Sequence, residues 1–202
     1  MKLLQRKILK PSLLLEMPKD SHPSVRLAET SSAKRHRPNP FQASPILDYI
    51  YLGSFSDALQ HEEMRTLGIT HILNAAKEVD SGFGGFPWRS PEGTVDRISR
   101  EHVFPSFTLH KISICDHSDE DIGRYFGECV AFIQDAYARN GKVLVHCRQG
   151  ISRSPTIVVA YLMQALGMSL DAALLLVQRK RECVCPNLGF IIALDELSRQ
   201  KD

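Results

Sequence analysis

KVLVHCRQGISRS, residues 142–154, joins an apolar strand, a short loop and the start of a helix. Lys142–His146 is continuously apolar after its first residue, as expected for a central strand of a sheet that is covered on both faces. Gly150 permits a sharp backbone turn because it has no Cβ atom. A loop of this kind, between a strand and a helix, is a typical ligand-binding position in an α/β sheet.

The rest of the chain alternates between strand and helix patterns. We predict strands at residues 49–52, 69–75 and about 107–114, and helices at 54–67, 122–138, 156–166, 169–181 and 186–199. Such alternation indicates an α/β fold with a mostly parallel central sheet flanked by helices. Residues 77–101 are predicted to form a long loop.

The first 40 residues differ in charge from the rest of the chain. Residues 1–40 carry nine Lys or Arg and three Asp or Glu, whereas the remainder carries 16 basic and 20 acidic residues. We predict a basic, mostly disordered arm at residues 1–43 and one catalytic domain at residues 44–202. No nucleic-acid or membrane partner is expected, because the body is mildly acidic and no apolar run reaches the ~20 residues that span a bilayer.

The chain has five cysteines and no expected secretory signal, which indicates a reducing compartment. We expect a cytoplasmic protein, and the basic run at residues 34–37 would also allow nuclear import. A mitochondrial presequence at the amino terminus is the alternative location. For residues 34–37, a solvated charge cluster is the alternative to an import signal. No metal is expected, because Cys183 and Cys185 lack a second ligand pair at suitable spacing.

The loop has the residues needed to bind phosphate and attack it. Backbone N–H groups at a helix N-terminus bind anions and favour the thiolate form of a cysteine, here Cys147 as nucleophile. Arg153 can place its guanidinium on two phosphate oxygens, and Ser154 can donate a hydrogen bond to the sulfur. His146 is predicted to orient the loop; an ordinary strand-end histidine is the alternative. The substrate-binding residues are then His146, Arg148, Gln149, Gly150, Ile151 and Ser152.

The pattern His-Cys-x5-Arg-Ser resembles the signature of the cysteine-dependent tyrosine and dual-specificity phosphatases. Residues 69–76, 154–163 and 186–190 resemble the small, atypical dual-specificity phosphatases, so the likeness covers about residues 45–200. It implies a two-step reaction without metal or cofactor on phosphotyrosine and phosphoserine or phosphothreonine. Phosphorylated proteins would be the substrates.

The resemblance also implies roles for residues outside the loop. Asp116 matches the general acid, with Asp119 and Asp121 as competitors. Asn74 and Asn187 match residues that brace the loop, although plain turn-capping roles are equally compatible. Arg181 lies where some relatives hold a second phosphate of a doubly phosphorylated peptide; a solvated basic helix end is the alternative.

Several alternative functions are compatible with the N-terminal arm and with the catalytic domain. Residues 6–15 resemble the docking peptides that bind mitogen-activated protein kinases, but a targeting or inert segment is also compatible with them. On the same scaffold, an RNA 5′-phosphatase or a phosphoinositide phosphatase is an alternative enzyme. A non-catalytic phosphoprotein-binding module is the alternative from another class.

Overall fold

The computed structural model of the chain describes residues 40–79 and 107–200. Its strands are β1 (Ser44–Leu47), β2 (Ile50–Gly53), β3 (Ile69–Asn74), β4 (Thr108–Lys111) and β5 (Lys142–His146). Its helices are α1 (Phe55–Ala58), α2 (His61–Thr66), α3 (Phe126–Ala138), α4 (Arg153–Leu166), α5 (Leu170–Lys180) and α6 (Leu188–Arg199). Residues 1–39, with the predicted docking segment and import signal, and most of the predicted loop at 77–101 lie outside the described residues.

The five strands form one sheet in the order β1-β2-β5-β3-β4. The β2–β5, β5–β3 and β3–β4 pairs are parallel, and only β1 runs antiparallel to its neighbour. The predicted α/β fold with a mostly parallel sheet is therefore confirmed. The register places Gly53, His146, Asn74 and Lys111 in one row, so the segments that follow four strands begin at the same edge.

The central strand β5 is buried on both faces. Val143 and Val145 belong to the larger core, which contains buried residues of α3, α4, α5 and α6. Leu144 belongs to the smaller core, together with Ala58 of α1 and Met64 of α2. Because successive side chains of a strand point to opposite faces, this two-sided cover explains the continuous apolar run.

Three features differ from the prediction for local reasons. The single helix predicted at residues 54–67 is two short ones, because Gln60 leaves the helical conformation, with φ −95° and ψ 73°, between α1 and α2. The strand β1 was not predicted, since it is short and contains Pro45. Helix α4 begins at Arg153, three residues early, because Pro155 is tolerated in a first helical turn.

The described domain begins before the predicted boundary at residue 44. Phe41 and Ala43 pack against the smaller core, and the Gln42 N–H donates to the buried Asp57 at 2.6 Å. These contacts tie the segment ahead of β1 to the body of the domain. Within the described part of the chain, no helix is both long and apolar enough to span a bilayer.

Candidate active site

Cys147 follows β5 directly and faces two hydrogen-bond donors. Its Sγ atom lies 3.2 Å from the backbone nitrogen of Gly150 and 3.2 Å from Oγ of Ser154. The thiol side chain is buried, with Ser154 in the first turn of α4. Both donors and the positive end of the α4 dipole favour a negative charge on this sulfur.

Gly150 is required at its position in the loop. Its φ angle is +71°, a conformation that residues with a side chain rarely adopt. A Cβ atom there would also lie 2.5 Å from the carbonyl oxygen of Gly53, which no rearrangement of a side chain could relieve. The loop therefore packs directly against the backbone at the end of β2.

Arg153 is 4% exposed and already holds two acceptors. Its Nη1 and Nη2 atoms each donate to one carboxylate oxygen of Glu78 at 2.7 Å, and Nη1 also donates to the Ile114 carbonyl at 3.1 Å. The remaining donors are the N–H of Nε and one N–H of Nη2, which share an edge of the guanidinium. Nε has no hydrogen-bond acceptor among the described residues.

Glu78 was not predicted as a site residue. It lies in the turn after β3, where Asn74 accepts from the Ala76 N–H at 2.9 Å and donates to the Val79 carbonyl at 2.8 Å. The hydrogen bonds from Arg153 hold the pKa of Glu78 below its ordinary value. Asn74 thus braces the turn that carries Glu78, the residue that pairs with Arg153, and its predicted support of the loop stays a prediction.

Asp116 is the predicted acid that reaches the site. Its Oδ1 atom accepts from Ser152 Oγ at 2.7 Å and from Asn187 Nδ2 at 3.0 Å, and its Oδ2 atom lies 3.6 Å from Arg153 Nε. The Asn187 N–H also donates to Ser152 Oγ at 3.2 Å. Asn187 therefore links the loop, the acid and the N-terminus of α6.

The two competing acids lie elsewhere. Asp119 is exposed and pairs with His117, while Asp121 accepts from the Arg124 N–H at the start of the turn before α3. Neither lines the cavity that contains Cys147. The geometry therefore favours Asp116 among the three.

The site opens into a cavity of about 380 Å³. Eight residues line it: Glu78, Cys115, Asp116, Cys147, Arg148, Gln149, Ile151 and Arg153. Cys115 was not predicted there; a hydrogen bond with Glu120 raises the pKa of its thiol. No cluster of three or more His, Cys, Asp or Glu suited to a metal occurs in residues 40–79 and 107–200.

Comparisons with known proteins agree with this geometry. A family model described as the dual specificity phosphatase catalytic domain matches residues 50–200. The chain belongs to this family. It is 38% identical over 154 residues to human dual specificity protein phosphatase 9, covering 76% of this chain and 35% of that protein. It is 37% identical over 150 residues to the rat protein phosphatase Slingshot homolog 3, covering 74% and 20%.

A solved structure has the same fold as the present chain. It is the crystal structure of the human tyrosine phosphatase-like serine/threonine/tyrosine-interacting protein, with a TM-score of 0.65 and 29% identity. The match covers 80% of this chain and 98% of that one. By contrast, the chain spans about a third or less of the length of the curated relatives it matches.

Arg181 contacts the backbone of the loop from outside the cavity. It does not line the cavity, and its guanidinium donates to the carbonyl oxygens of Gly150, Gln149 and Gln42 at 3.0, 3.2 and 3.0 Å. These contacts place Arg181 on the outer side of the loop, and its second-phosphate role stays a prediction.

His146 is fully buried beside the nucleophile. Its Nδ1 atom lies 3.3 Å from the Cys147 carbonyl oxygen, to which it donates. Burial lowers the pKa of His146 to about 4, so the imidazole is neutral at physiological pH. This contact supports the predicted orienting role, and a neutral ring adds no charge next to the sulfur.

The pKa of His146 predicts a specific pH dependence of stability. The unfolded chain takes up a proton near pH 6.5, whereas the folded chain does so only near pH 4, so stability falls as the pH drops between these values. Between pH 7 and pH 4, we expect the free energy of unfolding of His146→Asn to decrease by about 3 kcal/mol less than that of wild type, which corresponds to the shift in the pKa of His146. Urea unfolding from pH 7 to pH 4 measures it. His117→Asn, at an exposed site, is the control, and equal slopes for wild type and His146→Asn would contradict the assignment.

Proposed function

We propose that this chain is a protein phosphatase that hydrolyses phosphotyrosine and phosphoserine or phosphothreonine through a phosphoryl intermediate on Cys147. The observation that carries the proposal is the free edge of Arg153. Glu78 and Ile114 occupy three of its N–H bonds and leave the adjacent N–H groups of Nε and Nη2 without a hydrogen-bonded acceptor among the described residues, although Asp116 Oδ2 lies 3.6 Å from Nε; Arg153 lines the same cavity as Cys147. Two parallel N–H donors match two oxygens of a phosphate.

In the first step the Cys147 thiolate attacks phosphorus. The P–S bond forms while the bond from phosphorus to the substrate oxygen breaks, and protonated Asp116 gives its proton to the departing oxygen. Arg153 and the loop amides hold the three remaining phosphate oxygens, on which negative charge concentrates. The products are the dephosphorylated side chain and phosphocysteine.

In the second step water attacks the phosphocysteine. Asp116, now a carboxylate, removes a proton from the water as the P–O bond forms and the P–S bond breaks. The sulfur leaves as a thiolate, and hydrogen bonds from Ser154 and the Gly150 N–H stabilise that charge. Inorganic phosphate is released and the nucleophile is regenerated.

The proposal is tested by steady-state kinetics of the full chain in the presence of a metal chelator. We expect hydrolysis of an aryl phosphate and of phosphotyrosine and phosphothreonine peptides, with inhibition by orthovanadate. Faster turnover of an RNA 5′-triphosphate or of phosphoinositides would favour those substrates instead. Binding of phosphopeptides with no turnover would favour a non-catalytic module.

The same assay distinguishes the acid. Asp116→Asn is expected to lower kcat on a phosphotyrosine peptide by about 10²-fold, and less on an aryl phosphate whose phenol leaves readily. Asp121→Asn is the matched control, because that carboxylate accepts from the Arg124 N–H in the turn before α3 and does not line the cavity. Equal effects of Asp116→Asn on both substrates would contradict a proton transfer to the leaving oxygen.

Two finer points remain proposals. We propose a cytoplasmic or nuclear location, since the nucleophile has to stay reduced. Docking of a mitogen-activated protein kinase at residues 6–15 stays a prediction, which a deletion of those residues tests by comparing a kinase substrate with a short phosphopeptide.

A further inference from the structure

The guanidinium of Arg181 covers the outer side of the phosphate loop. Arg181 ends α5, and two of its donors go to consecutive loop carbonyls, those of Gln149 and Gly150. The third donor goes to Gln42, whose N–H is fixed by the buried Asp57. The side chain is therefore anchored at one side and directed at the loop backbone on the other.

The peptide group between residues 149 and 150 joins Arg181 to the nucleophile. Its carbonyl oxygen accepts from Arg181 Nη2 at 3.2 Å, and its N–H, that of Gly150, donates to Cys147 Sγ at 3.2 Å. In a planar trans peptide these two groups point in opposite directions. A cation thus lies on the outside of the same peptide whose inner side holds the sulfur.

Outside donors hold the other loop carbonyls as well. The Arg148 carbonyl accepts from the Phe55 N–H at 3.2 Å, and the Ile151 carbonyl accepts from the Cys185 N–H at 2.8 Å. These two donors are neutral backbone groups, whereas Arg181 brings a full positive charge. Pulling the carbonyls outward turns the N–H groups inward, which is the arrangement an anion needs.

We propose that Arg181 is a positioning residue that stabilises the Cys147 thiolate through the peptide between residues 149 and 150. Its hydrogen bond fixes the plane of that peptide and polarises it, which strengthens the N–H as a donor to sulfur. The consequence for catalysis rests on the proposed function, but the effect on the sulfur does not.

The test measures the sulfur without any phosphate substrate. Arg181→Met, Arg181→Lys and Arg179→Met are alkylated with iodoacetamide across pH, and modification of Cys147 is followed by peptide mass spectrometry. We expect Arg181→Met to slow alkylation at neutral pH by about tenfold, the size of one charge-assisted hydrogen bond. Arg181→Lys is expected to be intermediate, because an ammonium lacks the fork that spans two carbonyls. Arg179 is exposed at the same helix end and is expected to have no effect.

Two results would overturn the proposal. The first is alkylation at the wild-type rate in folded Arg181→Met, or in Arg181→Lys if the methionine variant does not fold. The second is a loss of activity restricted to doubly phosphorylated peptides, which would favour the second-phosphate role instead. If Cys147 alkylation responds as expected but no phosphatase activity is found, the proposed function fails while the positioning role stands.

Discussion

Cys147→Ser is expected to abolish turnover while leaving phosphopeptide binding largely intact. A serine hydroxyl is not ionised at neutral pH, so the loop donors have no thiolate to stabilise, and the covalent route is lost. We expect kcat to fall by more than about 10⁴-fold, as for other enzymes that lose their nucleophile. Binding depends on Arg153 and the loop amides, which the substitution leaves in place.

The measurement pairs hydrolysis of an aryl phosphate with calorimetric binding of a phosphotyrosine peptide. Cys129→Ala is the matched control, because Cys129 is equally buried but lies in α3, and burial raises the pKa of its thiol to about 12. Turnover by Cys147→Ser within tenfold of wild type would exclude the sulfur as nucleophile. Loss of binding together with turnover would contradict a phosphate site built from amides and Arg153.

The loop could be predicted from sequence because its contacts are local. Gly150 and Ser154 donate to Cys147 from three and seven residues away, so one strand, one turn and one helix start contain the whole arrangement. The parallel sheet could be predicted for another reason, because strand and helix patterns alternate along the chain and the apolar run of β5 indicates cover on both faces. Asp116 was predicted from the resemblance to the phosphatases, whose general acid follows the strand that precedes the long helix.

Glu78 could not be predicted, because its contact joins residues 75 positions apart. An acid in a turn is usually solvated, and its meaning depends on the register that sets Asn74 opposite His146. With that register known, an acid four residues beyond Asn74 would have been placed near the loop. Glu78 can therefore be recognised as a site residue only after the strand pairing of the sheet is known.

Arg181 shows a second limit of prediction from sequence. Its position after α5 can be predicted from the sequence. Its acceptors cannot, because they are backbone carbonyls, which every residue has whatever its type. The sequence therefore does not show whether the side chain faces the cavity or the loop backbone. Only the packing of α5 beside the loop gives the actual direction.

Arg153→Lys is expected to cost about 10³-fold in kcat/KM, comparable to losing a main electrostatic stabiliser of the transition state. The guanidinium pairs with Glu78 and offers donors to phosphate at the same time, which an ammonium cannot do. One pair of N–H groups holds Glu78, and the other edge is left for phosphate. A lysine presents a single point charge without the fixed fork, so it either pairs with Glu78 or meets the substrate.

The role of Glu78 follows from a double-mutant cycle on the same assay. If Glu78 holds the guanidinium in place, Glu78→Gln lowers kcat/KM in the wild-type background but has little effect in Arg153→Lys, where the fork is already gone. Arg139→Lys is the control for the substitution, because Arg139 forms an exposed ion pair with Asp135 on α3. If Glu78 instead competed with substrate, Glu78→Gln would raise kcat/KM and tighten phosphate inhibition. We expect the first outcome, because Glu78 occupies the Nη1–Nη2 end of the guanidinium, whereas the donors proposed to bind phosphate are on the Nε–Nη2 edge.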